Sequence, residues 1–209
     1  YGTGKGSVME AFYRGGNING SSFELLNHRT GERVTVNWPL SGAHQAHNAA
    51  GAAAVADAFG ISMQTIAEGL AACVLPGMRM KRTEHNGAVW LNDAYNANPD
   101  SMKATLSWLH EFADPGKLVL VLGDMREIGE QSQTVHREAL EKALADFPGA
   151  RIAAIGPEMT RAAQTLNNPQ IRTWPDSQSA AEGVRALVKP GDLVFLKASR
   201  GTRLELIEP

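Results

Sequence analysis

The chain has 209 residues, 43% of them apolar, and a formal net charge of −2 from 20 Lys and Arg against 22 Asp and Glu. That length suits one to two domains of an ordinary globular protein, and the near-balanced charge gives no electrostatic case for nucleic acid or an anionic membrane as partner. No apolar run approaches the ~18 residues of a membrane span, and the single cysteine, Cys73, excludes an internal disulfide and fits a reducing cytoplasm.

The opening Tyr1-Gly2-Thr3-Gly4-Lys5-Gly6-Ser7 has no initiator Met and no signal-peptide pattern, and reads as a cut from a longer protein. It imitates a phosphate loop without matching one. Such a loop needs Gly, four residues, then Gly-Lys-Ser/Thr between a strand and a helix, whereas Gly6 here separates Lys5 from Ser7. Residues 1–40 read as β-hairpin material, with Ser22-Phe23-Glu24-Leu25-Leu26 and Arg33-Val34-Thr35-Val36-Asn37-Trp38 flanking a turn at Arg29-Thr30-Gly31-Glu32. An alanine-rich helix is expected over 44–59, closed by Gly60. Near its start, His44 and Asn48 stand one turn apart on one face. They fit a plain helix start and a solvated polar position, or a pair that hydrogen-bonds a planar heterocycle; spacing alone leaves both open.

A second helix follows, with Ser62 as N-cap and Met63, Ile66, Leu70 and Cys73 on one face. Cys73 thus reads as a core residue rather than a nucleophile, since no activating cation pattern surrounds it. Leu75-Pro76-Gly77 breaks the pattern and marks a boundary between a first domain, 1–77, and a second, 78–209.

Beyond the boundary, strands at 88–92, 118–122, 151–155, 171–174 and 193–196 alternate with helices at 99–113, 132–146, 157–166 and 177–188. In the first of these helices Met102, Leu106, Leu109 and Phe112 form an apolar stripe; in the second, Val135, Ala139, Leu140, Ala143 and Leu144 do. Short continuous apolar strands between amphipathic helices imply an α/β fold, a doubly wound and mostly parallel sheet covered on both faces.

In such a sheet, ligands sit at the carboxyl ends of the strands. Three strand ends here are densely polar. The first, Asp93-Ala94-Tyr95-Asn96-Ala97-Asn98-Pro99-Asp100, partly has a structural account: Asn98 as N-cap, Pro99 at the first helical position and Asp100 in the first turn satisfy orphan amides and the helix dipole. That account leaves Asp93, Tyr95 and Asn96 unexplained. The second, Gly123-Asp124-Met125, places an acid before the polar loop Arg126-Glu127-Ile128-Gly129-Glu130. The third, Lys197-Ala198-Ser199-Arg200, brings two cations and a hydroxyl, suited to a carboxylate or phosphate. Three such ends on one rim converge on a binding site.

These residues resemble the C-terminal half of the Mur ligase family, most closely its branch that joins D-alanyl-D-alanine to a UDP-N-acetylmuramoyl-tripeptide. The resemblance rests on Gly42-x-His44 with Asn48, Leu75-Pro76-Gly77 with Arg79-Met80, the 93–102 run, Gly123-Asp124-Met125-x-Glu127-Ile128-Gly129 with His136, and Lys197-Ala198-Ser199-Arg200, in the family's order over nearly the whole chain. It implies an ATP-dependent acid–amino-acid ligase of bacterial cytoplasm, working through an acyl-phosphate in peptidoglycan precursor synthesis. The chain would hold the end of the central ATP-binding domain, 1–77, and the Rossmann-like C-terminal domain, 78–209. Phosphate loop and Mg2+ ligands would lie upstream, leaving no metal ligand or catalytic group here and an inactive fragment. Closure of the last domain on the central one would exclude water.

By the same resemblance His44 and Asn48 lie near the adenine, and Arg79 and Asp93 near ribose and phosphates with Tyr95 and Asn98 close by. Asn96, Gly123, Asp124, Glu127, Lys197, Ser199 and Arg200 would face the dipeptide and the acyl-phosphate. Some residues depart from the family pattern. Met78 adds one position between Pro76-Gly77 and Arg79, Asn92-Asp93 stands for Asp-Asp, and Ala198 replaces a glycine. A related ligase of folylpolyglutamate or cyanophycin synthetase type remains an alternative, against which the Tyr95-Asn96-Ala97-Asn98 string argues. So does a non-catalytic nucleotide-binding module. A dinucleotide dehydrogenase lacks its Gly-x-Gly-x-x-Gly after a strand.

Overall fold

The computed structural model describes residues 6–74 and 77–209. The Gly2-Thr3-Gly4-Lys5 string and the Leu75-Pro76 break lie outside the described residues. The chain divides into two units, Tyr1–Val74 and Leu75–Pro209.

In the first unit, strands β1 (Met9–Asn17), β2 (Gly20–Asn27) and β3 (Arg33–Trp38) form an antiparallel meander in sequence order. The expected hairpin is β2–β3, and β1 is an addition to it. Its sequence hides it: a register shift between Tyr13 and Gly16 interrupts the pairing, and the Gly15-Gly16 pair there lacks strand propensity. Helix α1 (Ala43–Ala58) buries Ala46, Ala49, Ala50 and Ala53, side chains small enough for close approach to β1. Helix α2 (Met63–Ala71) begins as expected, with the Ser62 hydroxyl accepting from the Thr65 amide. Cys73 falls past its end and is only half-buried, so it is not a core residue of a helix. Phe23 and Trp38 meet edge-on at 5.1 Å between centroids, and the Trp38 indole donates to Ser21 Oγ, which itself donates to the Leu40 carbonyl.

The second unit is a six-stranded sheet in the order β4-β5-β9-β6-β7-β8. The strands are β4 (Lys81–His85), β5 (Ala88–Asn92), β6 (Leu118–Gly123), β7 (Arg151–Ile155), β8 (Ile171–Trp174) and β9 (Leu193–Lys197). All neighbours run parallel except β4, an antiparallel edge. Its sequence, Lys-Arg-Thr-Glu-His, carries no apolar residue, which is why periodicity does not reveal it. A charged, exposed edge of this kind discourages pairing with another chain.

Four helices connect the parallel strands: α3 (Pro99–His110), α4 (Ser132–Asp146), α5 (Pro157–Leu166) and α6 (Ser177–Arg185). The expected tails of the first and last are not helical; Phe112 lies beyond α3 and Val188 beyond α6. β6 is buried along its whole length, and its alternate residues serve opposite layers. Val119 and Val121 join Trp90, Ile155, Leu196, Val184 of α6, Leu204 and Ile207. On the other side Phe195 meets Trp108 of α3, with centroids 6.4 Å apart. β9, last in sequence, inserts between β5 and β6, so the winding reverses there. A reversal of this kind opens a crevice outside the carboxyl ends of the adjoining strands.

Candidate functional site

The carboxyl ends of β5, β9 and β6 are neighbours, and their loops are tied together. Asp93, just past β5, donates its amide to the Leu196 carbonyl of β9. Its carboxylate accepts a 2.6 Å hydrogen bond from Lys197 Nζ, and the Lys197 side chain is only 3% exposed. Lys197 is therefore a buried cation with a fixed partner, not a free cation at the surface. Beside it Asn92 is fully buried, donating to Glu208 and accepting from the Ala94 amide. A second carboxylate here would face Glu208 across that bond, which gives Asn its place in the Asn92-Asp93 pair.

Past Asp93 the chain turns outward. Tyr95 is exposed, its amide donates to the Met78 carbonyl, and the Arg79 guanidinium lies 4.2 Å from its ring centroid. A planar cation stacked on a phenol ring is held without losing its donors. Met78 and Met80, on either side of Arg79, both adopt left-handed backbone (φ 59 and 54). Asn96 accepts from the Ala97 amide with Oδ1. Asn98 is the N-cap of α3, in a capping box: its Oδ1 accepts from the Ser101 amide at 2.8 Å and its own amide donates to Ser101 Oγ.

At the β6 and β9 ends three further residues expected to face a substrate turn inward instead. Gly123 has no room for a side chain: a Cβ there would lie 2.7 Å from Ala198 Cβ and 2.8 Å from Thr202 Cγ2. Asp124 is buried, and its carboxylate accepts from the amides of Met159 (2.8 Å) and Glu158 (3.3 Å), the first turn of α5. Helix α5 has Gly156 at its N-cap (φ 106), where no side chain can cap, so Asp124 does it from another strand. A Cβ on Gly156 would meet the Asp124 carboxylate at 2.6 Å. Ser199 is also buried; its hydroxyl donates to the Ala97 carbonyl and accepts from the Arg126 amide, while its amide donates to the Asp124 carbonyl. Gly123, Asp124 and Ser199 thus hold the three strand ends to one another.

Glu127 and Arg200 point the other way. Glu127 is exposed in left-handed backbone (φ 63), just after Arg126, whose guanidinium donates to the Gly201 carbonyl. Arg200 is exposed and pairs with Glu205 at 2.6 Å. Partial burial pushes the Glu205 carboxyl up, but hydrogen bonds from Arg200 and its own amide, with the charges of Arg200 and Arg203, outweigh this and leave it below its ordinary value.

Two features escape a reading of spacing alone. Glu205 is one. The other is His136, fully buried in α4, whose Nε2 takes the Met125 amide at 2.8 Å and whose Nδ1 meets the Ser132 carbonyl at 2.6 Å. In the first unit, His44 and Asn48 share a face of α1, and Asn48 Nδ2 lies 3.4 Å from Gln45 Oε1. Among the described residues no group of three His, Cys, Asp or Glu converges as metal ligands do, and no helix is long and apolar enough to cross a membrane.

Fold and rim together define a doubly wound α/β domain with a polar rim at its strand switch point, built from three interlocked strand ends. The chain belongs to the Mur ligase family: the family model described as Mur ligase, glutamate ligase domain, matches residues 78–200. The UDP-N-acetylmuramoyl-tripeptide–D-alanyl-D-alanine ligase of Bacillus subtilis is 33% identical over 175 residues, which cover 81% of this chain and 38% of that protein. MurF from Acinetobacter baumannii superposes with a TM-score of 0.83 at 27% identity, over 98% of this chain and 44% of that one. The MurF ligase of Thermotoga maritima, solved in complex with ADP, shares the fold with a TM-score of 0.78 at 24% identity, over 97% and 45% of the two chains. The chain therefore spans less than half the length of each of these relatives.

Proposed function

We propose that the chain is the C-terminal part of an ATP-dependent ligase of the bacterial cytoplasm that adds D-alanyl-D-alanine to a UDP-N-acetylmuramoyl-tripeptide. Residues 1–77 would end its central ATP-binding domain and residues 78–209 would form the domain that receives the dipeptide. The observation that carries this reading is the rim, where Asp93–Asn98, Gly123–Glu127 and Lys197–Arg200 are joined edge to edge and present their remaining polar groups outward. The identity with relatives that carry this activity supports it.

ATP would supply the phosphoryl group that turns the tripeptide's terminal carboxylate into an acyl-phosphate, with Mg2+ held by residues outside this chain. The residues present fit a nucleotide: the Arg79 guanidinium, stacked on Tyr95 and exposed at the rim, offers planar donors to phosphate or ribose oxygens. Asn98 is exposed as well; its Oδ1 caps α3, and its amide nitrogen would donate to the same ligand. His44 and Asn48 would take the adenine edge. The Asp93–Lys197 pair holds one charge of each sign in a fixed place beneath the rim.

Asn96 and Glu127, both exposed, would receive the dipeptide, Glu127 taking its ammonium group, and Arg200 would face the acyl-phosphate. Bond formation then needs the amine held in line with the activated carbonyl and water kept away. Placement by a rigid rim provides the first of these, and contributes more than any single contact. The 209 residues alone are expected to release no phosphate coupled to ligation when given ATP, tripeptide and dipeptide. Coupled turnover by the isolated chain would contradict the assignment of the phosphate loop and metal ligands to the rest of the protein.

A further inference from the structure

We infer that His136 is a positioning residue for the dipeptide side of this site, fixing Glu127 through the amide of Met125; the inference rests on the ligase reading above. The imidazole is fully buried and uses both nitrogens. Nδ1 lies 2.6 Å from the Ser132 carbonyl, which only accepts, so Nδ1 carries the proton. Nε2 is then the lone-pair nitrogen, and it takes the Met125 amide at 2.8 Å. The two bonds hold the ring in one orientation and one tautomer, bridging α4 to the loop after β6.

That loop is anchored residue by residue. The Asp124 carboxylate is bound to the first turn of α5, the Met125 amide to His136, and the Arg126 amide to Ser199 Oγ. The next residue, Glu127, is exposed with a φ of 63, a left-handed conformation that a residue with a Cβ keeps only where its surroundings impose it. The anchors impose it here. Of the three, only the His136 bond is made by a side chain that a helix carries, in the second turn of α4. Releasing Met125 lets the peptide before Arg126 rotate, and Glu127 leaves the place where a carboxylate would meet the ammonium of the incoming amine.

Two substitutions separate the two bonds of the ring. The amide of Gln reaches the Nε2 position and can accept from Met125; the shorter Asn reaches only the Nδ1 position and keeps the Ser132 bond. In the complete ligase, His136→Asn is expected to raise KM for D-alanyl-D-alanine about tenfold while KM for ATP stays within about twofold, and His136→Gln to restore most of the loss. Glu127→Gln should give the same signature, and adding His136→Asn to it should cost little more. Equal effects of Asn and Gln, parallel rises in both KM values, or full additivity with Glu127→Gln would overturn the inference. If the wild-type ligase makes no D-alanyl-D-alanine amide, the ligase reading itself falls. The anchoring is then decided in this chain by hydrogen exchange at the Met125 amide, expected slow in wild type and His136→Gln and fast in His136→Asn. Equal exchange in all three would overturn it.

Discussion

Lys197 Nζ lies 2.6 Å from Asp93 Oδ2, so the last residue of β9 and the first residue past β5 close the rim across two adjacent parallel strands. The lysine is buried and the aspartate mostly so. Removing one member of such a pair leaves the other charge without compensation, which costs far more than the pair itself contributes.

Asp93→Asn should therefore destabilise the chain by about 3–5 kcal/mol, read as a lower denaturant midpoint with unchanged slope. Replacing both residues, as Asp93→Asn with Lys197→Met, should recover most of that loss. Equal destabilisation by single and double substitutions would show that the pair is not what Lys197 depends on.

Asp124 caps a helix to which it does not belong. Asp124→Ala should cost about 1–2 kcal/mol, the usual worth of an N-cap, with amide exchange accelerating first at Glu158 and Met159. An Asn at 124 keeps an acceptor and should lose less.

Two glycines should respond with opposite signs. At Gly123 a methyl group meets Ala198 and Thr202 inside van der Waals contact, so Gly123→Ala should cost about 1–3 kcal/mol. Gly69, inside α2 with nothing within 4 Å of a Cβ, should gain about 0.5–1 kcal/mol on becoming Ala. Thermal midpoints of the two variants check both signs at once.

The Glu205 carboxyl sits below its ordinary 4.5 because its bonds to Arg200 and its own amide, with the charges of Arg200 and Arg203, outweigh the upward push of partial burial. A depressed carboxyl adds stability that is fully present above the unfolded-state value and is lost as pH falls through the folded-state one. Glu205→Gln should therefore flatten the fall in stability below pH 4.5 and lower stability at neutral pH. A wild-type and variant difference that stays constant across that window would contradict the Arg200–Glu205 contact.

How far the residues announced this arrangement differs from element to element. The Val-Leu-Val of β6, buried on both faces, and the Asn98-Pro99 start of α3 are local signals, and both hold. β4 carries no apolar residue and β1 is broken by a bulge, so neither shows a period to follow. Cys73 continues the apolar spacing of α2, but the helix ends at Ala71.

At the rim the polar strand ends were visible, but not which way each side chain turns. Asp124 looks like a ligand group because its partner, the bare amides behind Gly156, lies on a distant stretch of chain. Ser199 and Lys197 are the same case: long-range partners that spacing does not encode absorb their polar groups. Of the three residues that spacing leaves unexplained, Asp93 turns to Lys197, while Tyr95, stacked with Arg79, and Asn96 are exposed.

The proposed ligase activity is tested most directly by mass-spectrometric product analysis with the complete protein, ATP, Mg2+ and UDP-N-acetylmuramoyl-tripeptide. With D-alanyl-D-alanine as acceptor the UDP-N-acetylmuramoyl-pentapeptide should form, with one phosphate released per amide formed. Phosphate release and amide formation with glutamate or another amino acid, and none with the dipeptide, would contradict it.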